Sequence, residues 1–326
     1  MIKNKTLPYF LILSLLYGVP VLAQTWSPTK NVEIIVSSVP GGSNDNTGRQ
    51  IEKALIELRL VPTSTSIVGK PGGGGNISMV YTNQHASDGH YLMVATSSIN
   101  SNHIIGASKL SYHDFTPIAS LVNDYVVFAV KADSPLKSGK ELMAQFKSKP
   151  QSVAIGFANT FGGSRHIAAG LLIKAVGGNP RDLKTVVFKG SAEAISALLG
   201  AHLEMVIIGA GNAVAHVQSG RMRVLAVTSP QRLTGALSFV PTWRELGVDV
   251  VSGSWRGVMG PKDMPAAQLA YWENAMRQVS QNAGWKTDMA RNYWSEDFAT
   301  GAQFRKDLEN DYVDTKKVLV DLGLAK

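Results

Sequence analysis

Short runs of apolar and β-branched residues recur along the chain, separated by stretches whose apolar positions fall three and four apart. The runs predict strands at Val32–Val36, Ser66–Val68, Tyr91–Ala95, Ser152–Gly156, Lys184–Phe188, Glu204–Ile208 and Arg223–Thr228. Each is bounded by glycine or polar residues, as strands are. Helical spacing appears at Ile51, Ala54, Leu55 and Leu58, with Arg49, Glu52, Lys53 and Glu57 on the other faces. Ser138 and Glu141 make a capping box ahead of Leu142 and Phe146. Leu269, Trp272, Met276 and Val279 form a stripe after Pro265, and Thr300 with Gln303 is placed to cap a last helix carrying Phe304, Leu308, Tyr312, Leu319 and Leu322. Alternating strands and helices predict an α/β fold with mostly parallel sheets.

Two apolar segments exceed an ordinary strand of about 5–6 residues. They are Ile118–Val130, interrupted by Asn123-Asp124, and Val248–Met259, interrupted by Ser252-Gly253-Ser254. Either each is a long twisted strand in one sheet, or the two are crossovers on which the chain leaves one domain and later returns. Crossovers would create a hinge with a cleft beside it. They would assign 24–123 plus 254–326 to one domain and 124–253 to the other. A chain of 326 residues is long enough for two cores.

The N-terminus reads as a separate signal. Lys3 and Lys5 precede the apolar stretch Leu7–Val19, and Val21-Leu22-Ala23 ends on a small residue. This is the pattern of a secretory signal peptide, 1–23, cleaved near Ala23, and it predicts a periplasmic protein. The stretch is too short for a membrane span and is broken by Pro8, Gly18 and Pro20. Losing Lys3 and Lys5 takes the net charge from +8 to +6. The remaining basic residues are scattered, without the clusters and interleaved aromatics that nucleic acid binding needs. With no cysteine, thiol chemistry is excluded. The seven histidines are dispersed and H-E-x-x-H is absent, so no metal site and no cofactor are expected.

Four strand-to-helix turns are candidate anion sites, all at the carboxyl ends of strands, where open α/β sheets bind ligands. The first is Pro40-Gly41-Gly42-Ser43-Asn44-Asp45. Glycines there leave N–H groups uncovered, and a helix start favours negative charge. Asp45 would either cap the helix or meet a ligand ammonium or hydroxyl. The second turn is Asn159-Thr160-Phe161-Gly162-Gly163-Ser164-Arg165-His166. The third is Lys189-Gly190-Ser191-Ala192, and the fourth is Thr96-Ser97-Ser98. An ordinary glycine turn explains each equally well. A nucleotide is disfavoured: neither G-x-G-x-x-G nor a phosphate loop is present, and Gly69–Gly75 reads as a loop entering a helix near Asn76. Trp255 and Arg256 lie in the second long segment. They would supply a cleft with an apolar wall and a carboxylate clamp, or else are a core tryptophan and a solvated arginine.

The ordered set "PGGSND", "GKPGGGGN", "SDGHYLMVATSS", "FTPIASLV", "GGSRHIAAGLL", "FKGSAEAISALLGAHLEM", "RVLAVTSPQR", "VPTWRELGV" and "SWRGVMGP" resembles the tripartite tricarboxylate transporter receptor family, the Bug-type periplasmic binding proteins. The likeness covers nearly the whole mature chain. It implies a periplasmic-binding-protein-like fold of two α/β domains joined by two crossover strands, closing on a small organic carboxylate for delivery to membrane permease subunits. It also implies a monomer that catalyses no reaction. On matching positions it suggests Gly42, Ser43, Asn44, Asp45, Thr160, Gly162, Gly163 and Ser164 as ligand contacts, through amides, hydroxyls and bridging waters. Where many relatives read Phe-Asp-Asn, this chain has Ile207-Ile208-Gly209, so a polar recognition residue is missing or moved, with Asn212 the candidate. Phe161 replaces a small or polar position and favours a less polar or aromatic acid. The alternatives are a ligand-dependent sensor and a carboxylate lyase or isomerase using Asp45 as base.

Overall fold

The computed structural model describes residues 26–158 and 160–325, so the expected signal peptide lies outside the described residues. Along the chain come β1 (Val32–Val36), α1 (Ser43–Glu57), β2 (Thr65–Gly69), α2 (Asn76–Asn83), β3 (Tyr91–Thr96), α3 (Ser98–Ile104) and the long β4 (Phe115–Lys131). Next are α4 (Gly139–Ser148), β5 (Ala154–Ala158), α5 (Ser164–Ala175), β6 (Lys184–Phe188), α6 (Ser191–Leu199), β7 (Met205–Gly209), α7 (Ala210–Gln218) and β8 (Met222–Val227). The last are β9 (Gly253–Pro261), α8 (Ala266–Gln281), α9 (Ala283–Asn292), β10 (Ser295–Thr300) and α10 (Gly301–Asp321). Among the described residues no helix is long and apolar enough to cross a membrane.

β4 organises the molecule. Its 17 residues serve two sheets in turn. From Phe115 to Tyr125 it pairs with β9, and β10 flanks it at Ala119–Asn123. From Val126 onward it pairs with β7 and β8. The strand is buried almost throughout and half-buried only at Asn123, Tyr125 and Lys131, so its polar break marks the passage between sheets. The strand order is β2-β1-β3-β9-β4-β7-β5-β6. The pairs β1–β2, β1–β3, β5–β6 and β5–β7 are parallel, but every pair made by β4 or β9 is antiparallel. The expectation of mostly parallel sheets is corrected here: a chain that crosses out on one strand and back on the next must run them in opposite senses. The second long segment also differs. Only Gly253–Pro261 is strand, while Val248–Ser252 approaches it without ladder pairing.

Both faces of both sheets are covered, which is why these strands read as near-continuous apolar runs. In the first sheet, Ile34, Ile51, Leu55, Trp272 and Trp285 fill one face. Met93, Ile99, Trp255, Phe304 and Leu308 fill the other. In the second, Phe146, Phe157, Leu172 and Trp243 cover one face, and Ile195, Leu198, Val206 and Ile208 the other. α10 joins the two halves. Phe304 and Leu308 near its start pack on the first sheet, while Leu319 near its end stands against Gly162 and Asp321 pairs with Lys174 of α5. Thr300 is its N-cap by position but makes no capping bond, because its hydroxyl accepts from Arg277 instead.

Candidate functional site

The Gly-Gly-Ser turns ahead of α1 and α5 have one geometry. Gly41 and Gly162 sit at φ +78° and +76°, in the left-handed region that favours glycine. Gly42 (φ −73°, ψ 168°) and Gly163 (φ −71°, ψ 169°) are the two N-caps and offer no side-chain cap, though in α1 Ser38 Oγ accepts from Asp45 N at 2.8 Å. In each turn the N-cap amide donates back into the loop, Gly42 to Val39 O at 2.9 Å and Gly163 to Thr160 O at 3.3 Å. In each, the third helical residue accepts from the preceding glycine: Asp45 Oδ2 from Gly41 N at 2.9 Å, His166 Nδ1 from Gly162 N at 3.1 Å. That leaves the amides of Ser43 and Asn44, and of Ser164 and Arg165, without described partners, as first-turn donors are until something supplies an acceptor.

The third-position residues are locked in ways that bear on their chemistry. Burial works against an ionised Asp45, but the bonds from Arg49 and Gly41 prevail and hold its carboxyl below the usual range. It is 3% exposed and spent on its own loop. A carboxyl held below the usual range is a poor base, and its described bonds, from Gly41 N and Arg49, both end on Oδ2. Burial pushes His166 down to about 4. The ring is neutral, and because Nδ1 accepts, Nε2 carries the proton.

β9 and the middle of β4 place a buried ion pair beside the α1 start. Arg256 donates from Nη1 to Asn44 Oδ1 at 2.9 Å, and from Nη2 to Ser43 Oγ at 2.8 Å and Asp124 Oδ2 at 2.6 Å. It is 4% exposed and lies over the Trp294 ring. Its expected role as a free clamp is corrected: both Nη groups are engaged. Arg165, in the first turn of α5, feels both Asp124 and Arg256. Burial lowers its pKa, Asp124 raises it, and Arg256 lowers it. A Cβ at Gly209 would stand 3.2 Å from Asp124 Oδ1 and 3.3 Å from Asn212 Nδ2, so Asn212 and Asp124 are neighbours. Asp124, on the strand paired with β7, and Asn212 are therefore the polar side chains beside Gly209.

Thr96 and Ser98 hydroxyls bond each other at 2.9 Å, and Ser97 bonds Ser254 of β9 at 3.0 Å. A cavity of about 10 Å³ lies among Ser37, Asn44, Gly75, Thr96 and Ser98, room for one water and no organic acid. The glycine loop before α2 reaches the second half: a Cβ on Gly74 would stand 3.1 Å from Thr160 Cγ2. Phe161 is 47% exposed, edge-on to Phe157 and His166.

Two expected contacts stand apart. Trp255 points away from Arg256, packs edge-on against Phe304 and donates to Asp311, so it is core and not a cleft wall. Gly190 and Ser191 follow the edge strand β6, and Glu193 turns back onto Lys189 N there; no described contact ties them to the other residues. Arg165 was named from sequence only as part of the second turn and Asp124 only as part of the break in the long strand, neither as a ligand contact. The only signal was their position, one in the first turn after a Gly-Gly-Ser, the other at the break in the long strand.

Two α/β halves sharing one long strand define a periplasmic-binding-protein-like fold. The tripartite tricarboxylate transporter family receptor pattern matches residues 49–324, and the chain belongs to that family. It is a family of binding proteins, not enzymes. Protein BugT of Bordetella pertussis (strain Tohama I) is 30% identical over 250 residues, 74% of each chain. A solved TctC solute-binding protein from Polaromonas is 26% identical, with a TM-score of 0.73 over 90% of this chain and 99% of that one. The R. palustris protein solved with adipate is 22% identical, with a TM-score of 0.80 over 91% and 99%.

Proposed function

We propose that this chain is a periplasmic receptor that captures a small organic carboxylate between two lobes, 24–123 with 254–326 and 124–253, and delivers it to the permease subunits of a tripartite tricarboxylate-type transporter. The observation that carries this reading is the pair of like-shaped Gly-Gly-Ser helix starts, at Ser43 and Ser164, with unpartnered amides, the first bonded to the Arg256–Asp124 pair and the second carrying Arg165, on which the charges of that pair act. Helix starts of this kind attract anionic oxygen. Ser43, Asn44, Ser164, Thr160 and Asn212 are the proposed contacts, with Thr96, Ser97 and Ser98 at the margin. The adipate in the R. palustris relative agrees with the chemistry.

The cavity among Ser37, Asn44, Gly75, Thr96 and Ser98 lies within the first lobe and is too small for an acid; in this reading the ligand instead enters between parted lobes, which then close on it. Ligand contacts made to both lobes exist only when closed, and binding shifts the population that way. Micromolar affinity needs about −8 kcal/mol. A few charge-assisted hydrogen bonds of about 1.5–3 kcal/mol each supply that after ordering costs. Residues 1–23 act as the export signal, and the mature receptor works as a monomer.

Calorimetry of the mature chain against straight-chain mono- and dicarboxylates, adipate included, tests this. Heat from at least one acid and none from neutral sugars is expected. Sugar binding without acid binding would overturn the reading.

A further inference from the structure

Arg165 is a cation whose surroundings disfavour it. It occupies the second position of α5, where uncovered N–H groups already carry positive partial charge. The charges of Asp124 and Arg256 both act on it. Its Nε is buried without a hydrogen-bond partner, and so is the Nε of Arg256. The carboxylate that acts on it, Asp124, is spent at 2.6 Å from Arg256. Asp45 is paired with Arg49, and His166 is neutral. Two cations therefore share one anion, and the junction holds one positive charge in excess.

We infer that Arg165 is the specificity-determining residue of this site: its guanidinium forms a direct, two-pronged ion pair with the captured carboxylate, so the receptor selects an ionised acid over a neutral analogue of the same shape. The inference rests on the carboxylate-receptor reading and deepens it. Helix N-termini alone attract any acceptor oxygen, a carboxamide's included. A unit charge in excess, in a partly dry crevice, discriminates by charge, and the planar fork of arginine matches the two oxygens of a carboxylate. Asp124 keeps Arg256 from competing for the ligand and limits the excess to one charge.

The test uses the mature chain and calorimetry with straight-chain carboxylates, adipate among them, beside the carboxamides of the same chains. The wild type should prefer acid over amide by about 10- to 100-fold, the worth of a hydrogen bond to a charged group. Arg165→Gln should bring that ratio close to one, with the ligand-free melting temperature at or above wild type, because an uncompensated cation has been removed. Arg165→Lys, which keeps charge and loses the fork, should retain a reduced preference. A wild-type acid-to-amide ratio in Arg165→Gln would overturn the inference and leave the carboxylate reading standing. Equal binding of acid and amide by the wild type would overturn it too. If the wild type bound no acid, the carboxylate reading would fall and the inference with it.

Discussion

Replacing Asp124 by Asn removes one negative charge and keeps the shape. In the folded protein this carboxylate lies 2.6 Å from Arg256, and the side chains of Arg256 and Asp124 are 4% and 9% exposed. Deleting one partner of a buried pair costs about 3–5 kcal/mol, because the other charge is stranded. Arg256 keeps its bonds to Asn44 and Ser43, and an Asn oxygen still accepts from Nη2. The lower end, about 3 kcal/mol, is therefore expected. In urea, with a slope of about 3 kcal/mol per molar, the unfolding midpoint should fall by about 1 M. A carboxylate entering the junction restores the missing charge, so the acid that binds should recover more stability for the variant than for the wild type. Replacing both residues, Asp124→Asn with Arg256→Gln, should cost less than the two single changes summed, since they share one interaction. An Asp124→Asn variant within about 0.5 kcal/mol of wild type, the range of surface changes, would refute the reasoning.

His166 has a pKa of about 4 against its ordinary 6.5. Between those values the unfolded chain binds a proton the folded chain refuses. Its contribution is complete above pH 6.5 and declines by about 3 kcal/mol as pH falls to 4; His166→Asn, which keeps an acceptor for Gly162 N, should flatten that part of the urea stability curve. Asp311 is raised to about 6 by burial, against the opposing bonds from Asn100 and Trp255, both to one oxygen. Its ionisation costs stability as pH rises through 4 to 6, so Asp311→Asn should gain about 3 kcal/mol at pH 7 and nothing near pH 3.5. Gly41→Ala meets no atom within 4 Å and should cost only the left-handed penalty of about 1–2 kcal/mol. Gly162→Ala meets Leu319 at 3.2 Å and Ile105 at 3.3 Å and should cost about 1 kcal/mol more. Equal urea midpoints for the two would contradict the crowding.

What was legible in the chain followed from local chemistry. β1 and β6 match their expected bounds, since each is a short β-branched run between polar stops. The two Gly-Gly-Ser turns were visible because glycine pairs ahead of a helix speak for themselves. β5 begins two residues later than expected because Pro150–Ser152 forms a 3₁₀ turn first. β10, Ser295–Thr300, went unread: it is polar, half-exposed and bulged, and only its place beside β4 makes it a strand. Val248–Ser252 looks like strand, yet Val250 is buried by packing near Trp243 and not by a ladder. The facing of Trp255 and Arg256 depends on the phase of β9 in its sheet, which no local pattern reveals. The meeting of Asp124, Arg165 and Arg256 joins residues far apart in sequence and follows from the crossover alone.

The central claim is that two helix starts close on one carboxylate, and amide NMR tests it most directly. Titrating the ¹⁵N-labelled mature chain with the acid that calorimetry selects should shift the N–H resonances of Ser43, Asn44, Ser164 and Arg165 together, with one dissociation constant. Shifts confined to one helix start, or found only elsewhere while those four stay still, would contradict the account.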